Sequence, residues 1–289
     1  MTESFWTIVI FFLGLIFGSF LNALEYRINK KISLKGRSFC PKCKKKISWY
    51  ANIPLLSFII LLGRCRHCHK PISIQYPLIE LTSGLLFLLA WKISKASTPH
   101  NQRAGSFLNL DFQILSTPPL KELIGFILLA SCFFLLLLIA LHDLKTKYVL
   151  TYYTYGAAIL ALAYQSLNYG NTWELANLSN YFYPLALSAL IPATIFWLIS
   201  KLSGGKAMGS GDADIAIAIG ILLGWPLVAV SYYFAFLTGA IVGIVLIVLK
   251  KAGLKSEIPL GPFLVSGVFF AFLVGEQIID WYSRIVFGI

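Results

Sequence analysis

Apolar runs close to the length of a bilayer span recur along the whole chain, separated by short clusters of charge, and no water-soluble fold can bury so many of them. Residues 5–24, 76–93, 120–141, 148–167, 181–202, 211–224, 227–249 and 262–287 are the eight candidates. The composition agrees, with 58% hydrophobic and only 12% charged residues and a mean hydropathy of +0.77. The sequence therefore predicts an all-α polytopic membrane protein of about eight transmembrane helices. The first run lacks a basic leader and ends in a strongly basic segment, so it is expected to be retained as a helix rather than removed as a signal peptide. The run at 211–224 is the exception in length: some 14 residues rise about 21 Å, less than a hydrocarbon core of roughly 30 Å.

A net charge of +12 would point to nucleic acid in a soluble protein. Here the charge follows the loops. Twelve of the 24 Lys and Arg residues fall within 25–75, and others flank alternate ends of the apolar runs near Lys145, Lys201, Lys206 and Lys250. By the positive-inside rule these ends share the cytoplasmic side, with the lipid bilayer and not nucleic acid as the implied surroundings. Four segments follow from this pattern. They are a first helix at 1–24, a polar cytoplasmic insertion at 25–75, a second helix and external loop at 76–119, and a helical bundle at 120–289. Within the insertion, the apolar stretch 53–62 is too short to span and suits the membrane interface.

The insertion carries Cys40-Pro-Lys-Cys43 and Cys65-Arg-His-Cys68. Two such Cys-x-x-Cys knuckles can close four thiolates around zinc, while a reducing compartment disfavours the alternative of disulfides. Cys40, Cys43, Cys65 and Cys68 are the predicted metal ligands. His67 and His69 are not needed to complete the set, and Cys132, in mid-span, reads as a packing residue.

Charged groups at membrane depth survive mainly where they face a bundle interior or a wet cavity. Asp212 follows the glycine-rich Gly209-Ser-Gly211 at the start of the run 211–224, and Asp143 ends the run 120–141. The charge pattern puts both at the same membrane face. Two carboxyls sharing a water cannot both ionise easily, so one can serve as base while the other, protonated, polarises a scissile carbonyl. Asp143 and Asp212 are thus the candidate catalytic pair, with Gly209 and Gly211 shaping the site by leaving room beside it. The plainer alternative is that Asp212 only caps its helix. Asp214, two residues on, is turned about 200° away and ranks behind them.

These residues resemble the bacterial type IV prepilin peptidases, leader peptidase/N-methyltransferases of the GxGD aspartic protease class. The likeness runs through Gly18-Ser-Phe-Leu-Asn22, Tyr26-Arg27, both cysteine pairs, Asn52-Ile-Pro-Leu-Leu-Ser57 and Tyr76-Pro-Leu-Ile-Glu80. It continues through Asp143-Leu-Lys-Thr146, Met208-Gly-Ser-Gly-Asp212 and Pro259-Leu-Gly-Pro262. The resemblance implies that Asp143 and Asp212 are catalytic and that the cysteine-bearing region belongs to methylation and zinc. It also implies that prepilins or pseudopilins of type IV pilus or type II secretion systems lose a basic leader at the cytoplasmic face of the inner membrane. The new amino terminus is then methylated from S-adenosylmethionine. No residue is assigned to the methyl donor, and the oligomeric state is not indicated. Asp214 stands where the family usually has a non-acidic residue. Two other functions fit parts of the pattern: a scaffold whose zinc module recruits a partner, and a proton-coupled transporter using the two aspartates.

Overall fold

A computed structural model describes residues 2–96, 120–168 and 175–287, apart from 252, 254, 255 and 257. Nine α-helices occur among them: α1 (Thr2–Asn29), α2 (Leu56–Ile60), α3 (Gln75–Ala96), α4 (Leu120–Thr146), α5 (Thr151–Asn168), α6 (Leu175–Leu202), α7 (Ser210–Leu223), α8 (Leu227–Val248) and α9 (Gly261–Phe287). Among the described residues, β structure is limited to two isolated bridges. Six helices, α1, α3, α4, α6, α8 and α9, are long and apolar enough to cross a membrane; α5 and α7 form at the other two runs expected from the sequence but do not reach that length and hydropathy. The expected external loop lies, from residue 97 to 119, outside the described residues. The chain forms two compact units, residues 1–134 and 135–289.

In the first unit α1 packs along α3. Small residues let the two backbones approach: a Cβ on Gly14 would stand 2.8 Å from the Cα of Gly84, and one on Gly18 would stand 2.7 Å from the Cα of Glu80. In lipid, where apolar surface gains nothing by leaving the solvent, such close backbone packing is a main source of helix association. Asn22 ties the pair further, its Nδ2 donating to the carbonyls of Gly18 (3.3 Å) and Tyr76 (3.2 Å). α1 continues five residues beyond the apolar run because its next turn still has an interior face: Glu25 is fully buried and accepts from Asn29 Nδ2 at 3.5 Å. The insertion between α1 and α3 contains a 3₁₀ turn, Trp49–Asn52, and the single turn and a bit of α2, which the apolar stretch 53–62 supplies.

In the second unit α7 is the hub, packed against α5, α6, α8 and α9. Ala213, Ile215, Ala216, Ala218, Ile219, Leu222 and Leu223 are all buried, so its apolar face extends nearly all round, as a helix enclosed by neighbours requires. Gly220 lies against the backbone of Ser188 and Ala189 on α6, whose Ser188 Oγ donates to the Gly220 carbonyl at 3.1 Å. A short helix ending in an apolar setting must find partners for its last carbonyls. Gln165 of α5 provides them, its Nε2 donating to Ile221 O (3.1 Å) and Leu222 O (2.9 Å). The limited length of α7 is thereby compatible with burial at both ends.

Candidate active site

The last turn of α4 and the first turn of α7 bring two acids together. α4 stops where Lys147 takes a left-handed conformation, with φ 57°, and its N–H returns to the carbonyl of Asp143 at 2.8 Å. That cap leaves Asp143 on the final turn, 4% exposed. At the other helix, Gly209 is the N-cap and its N–H donates to Asp212 Oδ2 at 3.1 Å, the acid reaching back from the third helical position. Asp212 is 7% exposed and close enough to Asp143 for the two charges to repel. Capping and pairing therefore coexist in one carboxylate.

Asp143 has an anchor of its own. The N–H of Gly261, first residue of α9, donates to Asp143 Oδ2 at 3.0 Å in a buried contact. The positive end of the α9 macrodipole also favours a carboxylate there. Each acid thus commits Oδ2 to a backbone amide, and among the described residues no hydrogen bond reaches either Oδ1. Asp214 points elsewhere: its Oδ2 accepts from Thr151 Oγ1 at 3.4 Å, on the α5 side.

The glycines have unequal roles. A Cβ at Gly211 would stand 2.5 Å from the Cβ of Val149, so the segment joining α4 to α5 leaves no room for one. Gly209 has φ −72° and ψ 148°, which any residue adopts, and a Cβ there would meet only Asp212 Oδ2 at 3.5 Å. Any requirement for glycine at 209 comes from what binds beside it. Gly261 was missed from sequence except as part of Pro259-Leu-Gly-Pro262; the glycine–proline pair opening an apolar run was the available signal. A Cβ at Gly261 would lie 2.7 Å from Asp143 Oδ2, too close for the carboxylate to stay where the Gly261 N–H anchors it. Gly261→Ala is expected to lower turnover at the acid pair by about tenfold or more, because displaced catalytic groups lose alignment steeply. Gly211→Ala should also lower the thermal unfolding temperature, with overpacking of about 1–3 kcal/mol, whereas Gly209→Ala should unfold like the wild type. Thermal melts of the three detergent-purified variants check this; an unchanged melt for Gly211→Ala would contradict the contact with Val149.

The cysteine pairs form a second constellation, wholly within the first unit. The Sγ atoms of Cys40, Cys43, Cys65 and Cys68 all lie within 4.8 Å of one another, and no disulfide joins them. A tetrahedral site with metal–sulfur bonds near 2.3 Å has sulfurs about 3.8 Å apart, so the cage fits. The two knuckles repeat one another. Phe39 bridges to Lys46 as Arg64 does to Pro71, Cys40 N bonds to Lys45 O (3.0 Å) as Cys65 N does to Lys70 O (2.9 Å), and Lys44 and His69 both have positive φ. A backbone hydrogen bond from Cys68 leads in drawing the Cys65 thiol down to about 7. Cys43 is pushed to about 11: a hydrogen bond from the Lys45 backbone lowers it, but desolvation and the neighbouring thiols of Cys40, Cys68 and Cys65 prevail. Four thiolates this close need a cation among them to ionise together. His67 and His69 do not belong to the cluster.

Residues 12–93 match the Bacterial Peptidase A24 N-terminal domain and residues 119–244 match the Type IV leader peptidase family. Several curated proteins named prepilin leader peptidase/N-methyltransferase are similar over most of their length. One from Klebsiella pneumoniae is 34% identical over 235 residues, 76% of this chain and 86% of its own. Relatives from Pseudomonas aeruginosa and Vibrio cholerae are 26% and 28% identical, over 94% and 91% of this chain and 91% and 94% of their own. No solved structure matches. With both matched segments in order and the acid pair held between α4 and α7, the chain belongs to the type IV leader peptidase family.

Proposed function

We propose that this protein is a membrane aspartic endopeptidase that removes the leader of type IV prepilins or pseudopilins and then N-methylates the new amino terminus. The observation that carries the reading is the buried pair Asp143 and Asp212, delivered by the ends of two apolar helices and close enough to repel. In the resting pair one carboxyl is ionised and the other protonated. The ionised carboxylate takes a proton from a water held between the free Oδ1 atoms, and the water oxygen attacks the scissile carbonyl carbon. The protonated partner gives its proton to the carbonyl oxygen. On collapse, a hydroxyl of the tetrahedral intermediate returns its proton to that partner, and the other carboxyl passes the water's proton to the leaving amine, leaving one proton on the pair. The amides of Gly209 and Gly261 hold both acids in place throughout. The proton belongs to the pair, which titrates as a unit.

The positive-inside pattern supports cleavage at the cytoplasmic face of a bacterial inner membrane, next to the basic insertion. Cys40, Cys43, Cys65 and Cys68 would hold zinc, which supplies a structural cross-link for the insertion. The relatives' names supply the second activity, and S-adenosylmethionine is its proposed methyl donor. The Gly209 backbone, open to a side chain, would lie beside the extended substrate segment. The test is mass spectrometry of a prepilin incubated with purified protein in lipid, with and without S-adenosylmethionine. Leader loss in both reactions, and a further methylene only with the donor, is the expected result; an intact prepilin in both would overturn the peptidase reading.

A further inference from the structure

The first unit encloses a cavity of about 570 Å³, within the size range of small-molecule sites, generally about 300–1,000 Å³. It lies between α1, the start of α3 and the cysteine insertion, and the acid pair is not among its lining residues. Its wall is mostly apolar, with Phe39, Ile47, Phe58 and Ile72 beside Tyr26 and Tyr76. Of the polar groups that the helices contribute to the lining, two are buried: Asn22, 4% exposed, and Glu80, 8% exposed. Asn22 spends its Nδ2 on two carbonyls, which leaves Oδ1 as an acceptor.

Glu80 is the informative group. Its Oε2 accepts the Leu55 N–H at 2.8 Å, which fixes its position, and the Ser19 side chain lies beside the carboxylate. Among the described residues no lysine or arginine pairs with it, although the cavity lining includes Arg27, Lys42, Lys45, Arg66 and Lys70. Arg27 instead bonds the carbonyls of Leu34, Gly36 and Arg37, and Lys42 bonds that of Pro71 at 2.8 Å. A carboxylate more than nine-tenths buried, held by a neutral backbone donor and with no protein cation paired to it among the described residues, is set to receive a cationic ligand.

We infer that this cavity is the methyl-donor site, with Glu80 facing the cationic sulfonium of S-adenosylmethionine and the aromatic wall taking its adenine. The assignment rests on the methyltransferase reading above and adds the residues that bind the donor. A flat purine suits the tyrosine and phenylalanine faces, and the basic groups at the lining suit the donor's carboxylate. Both activities in the relatives' name then have separate sites, the acid pair in one unit and the donor cavity in the other.

The test compares S-adenosylmethionine with S-adenosylhomocysteine, which lacks the sulfonium charge, and with sinefungin, in which an amine replaces it. Affinities are measured by calorimetry on the full chain in detergent. Wild type should bind the two cationic ligands about tenfold or more tightly than the neutral sulfur compound, as a buried charge-assisted contact implies. Glu80→Gln, which keeps an acceptor for Leu55 N–H, should lose that preference while holding S-adenosylhomocysteine within about twofold. Retained affinity for the neutral ligand also shows that the variant is folded. Unchanged preference, or equal loss of all three ligands, overturns the role of Glu80. A wild type that methylates prepilin but shows no cationic preference overturns the site while leaving the methyltransferase reading intact; one that neither binds the donor nor methylates overturns both.

Discussion

Asp143→Asn and Asp212→Asn are each expected to reduce leader cleavage by about a thousandfold or more, whereas Asp214→Asn should retain most of it. An amide neither accepts the water's proton nor returns one, so losing either carboxyl breaks the proton cycle between them. Folding is expected to survive both changes, for specific reasons. Asn at 143 keeps a carbonyl oxygen for the Gly261 N–H, and Asn at 212 keeps one for the Gly209 N–H. Removing one member of a repelling buried pair also relieves electrostatic cost. Asp214 lies on the α5 side, bonded to Thr151, and its substitution touches neither anchor. Single-turnover cleavage of a prepilin by the three purified variants, alongside their melting temperatures, separates chemistry from stability. An inactive Asp214→Asn protein together with a normal rate for either of the other two would reject the assignment.

The acid pair was legible in sequence because a carboxylate in an apolar run stands out and because alternating loop charge put both at one face. Helical periodicity also separated Asp212 from Asp214. Their anchors were not legible. Gly261 is 118 residues from Asp143, and nothing local to either residue announces that the start of α9 donates to that carboxylate. Glu80 was visible only within Tyr76-Pro-Leu-Ile-Glu80, because its meaning depends on what does not pair with it after folding. Likewise Asn22 reads as a polar residue in a span until its two carbonyl partners, on α1 and α3, are seen. The cysteine cluster was explicit in its spacing, but the matched backbone turns of the two knuckles were hidden by their different fillers, Pro-Lys in one and Arg-His in the other. α7 shows the limit of counting residues: its 14 positions fall short of a bilayer, and the side-chain cap from Gln165 that makes this tolerable is a tertiary feature.

Purified protein is expected to contain one zinc per chain, and Cys40→Ser or Cys65→Ser should each remove it. One lost thiolate opens the tetrahedron, and a serine hydroxyl is a poor replacement for a soft anionic ligand. Each variant strikes a different knuckle, so parallel loss of metal would show that the two turns close on one ion rather than on separate ones. Structural zinc contributes on the order of 10 kcal/mol to small folding modules, enough to order an insertion whose regular structure is only a 3₁₀ turn and α2. The wall of the donor cavity includes Cys40, Cys65 and their neighbours Phe39 and Ile72, so loss of metal should disorder that wall. Methylation should therefore fall much further than cleavage, since both aspartates and their amide anchors belong to the other compact unit. Elemental analysis of wild type and both variants, beside paired cleavage and methylation assays, measures each step. Metal-free active protein with Cys40–Cys43 or Cys65–Cys68 disulfides would reject the zinc centre, and equal loss of both activities would show that the insertion also shapes the peptidase site.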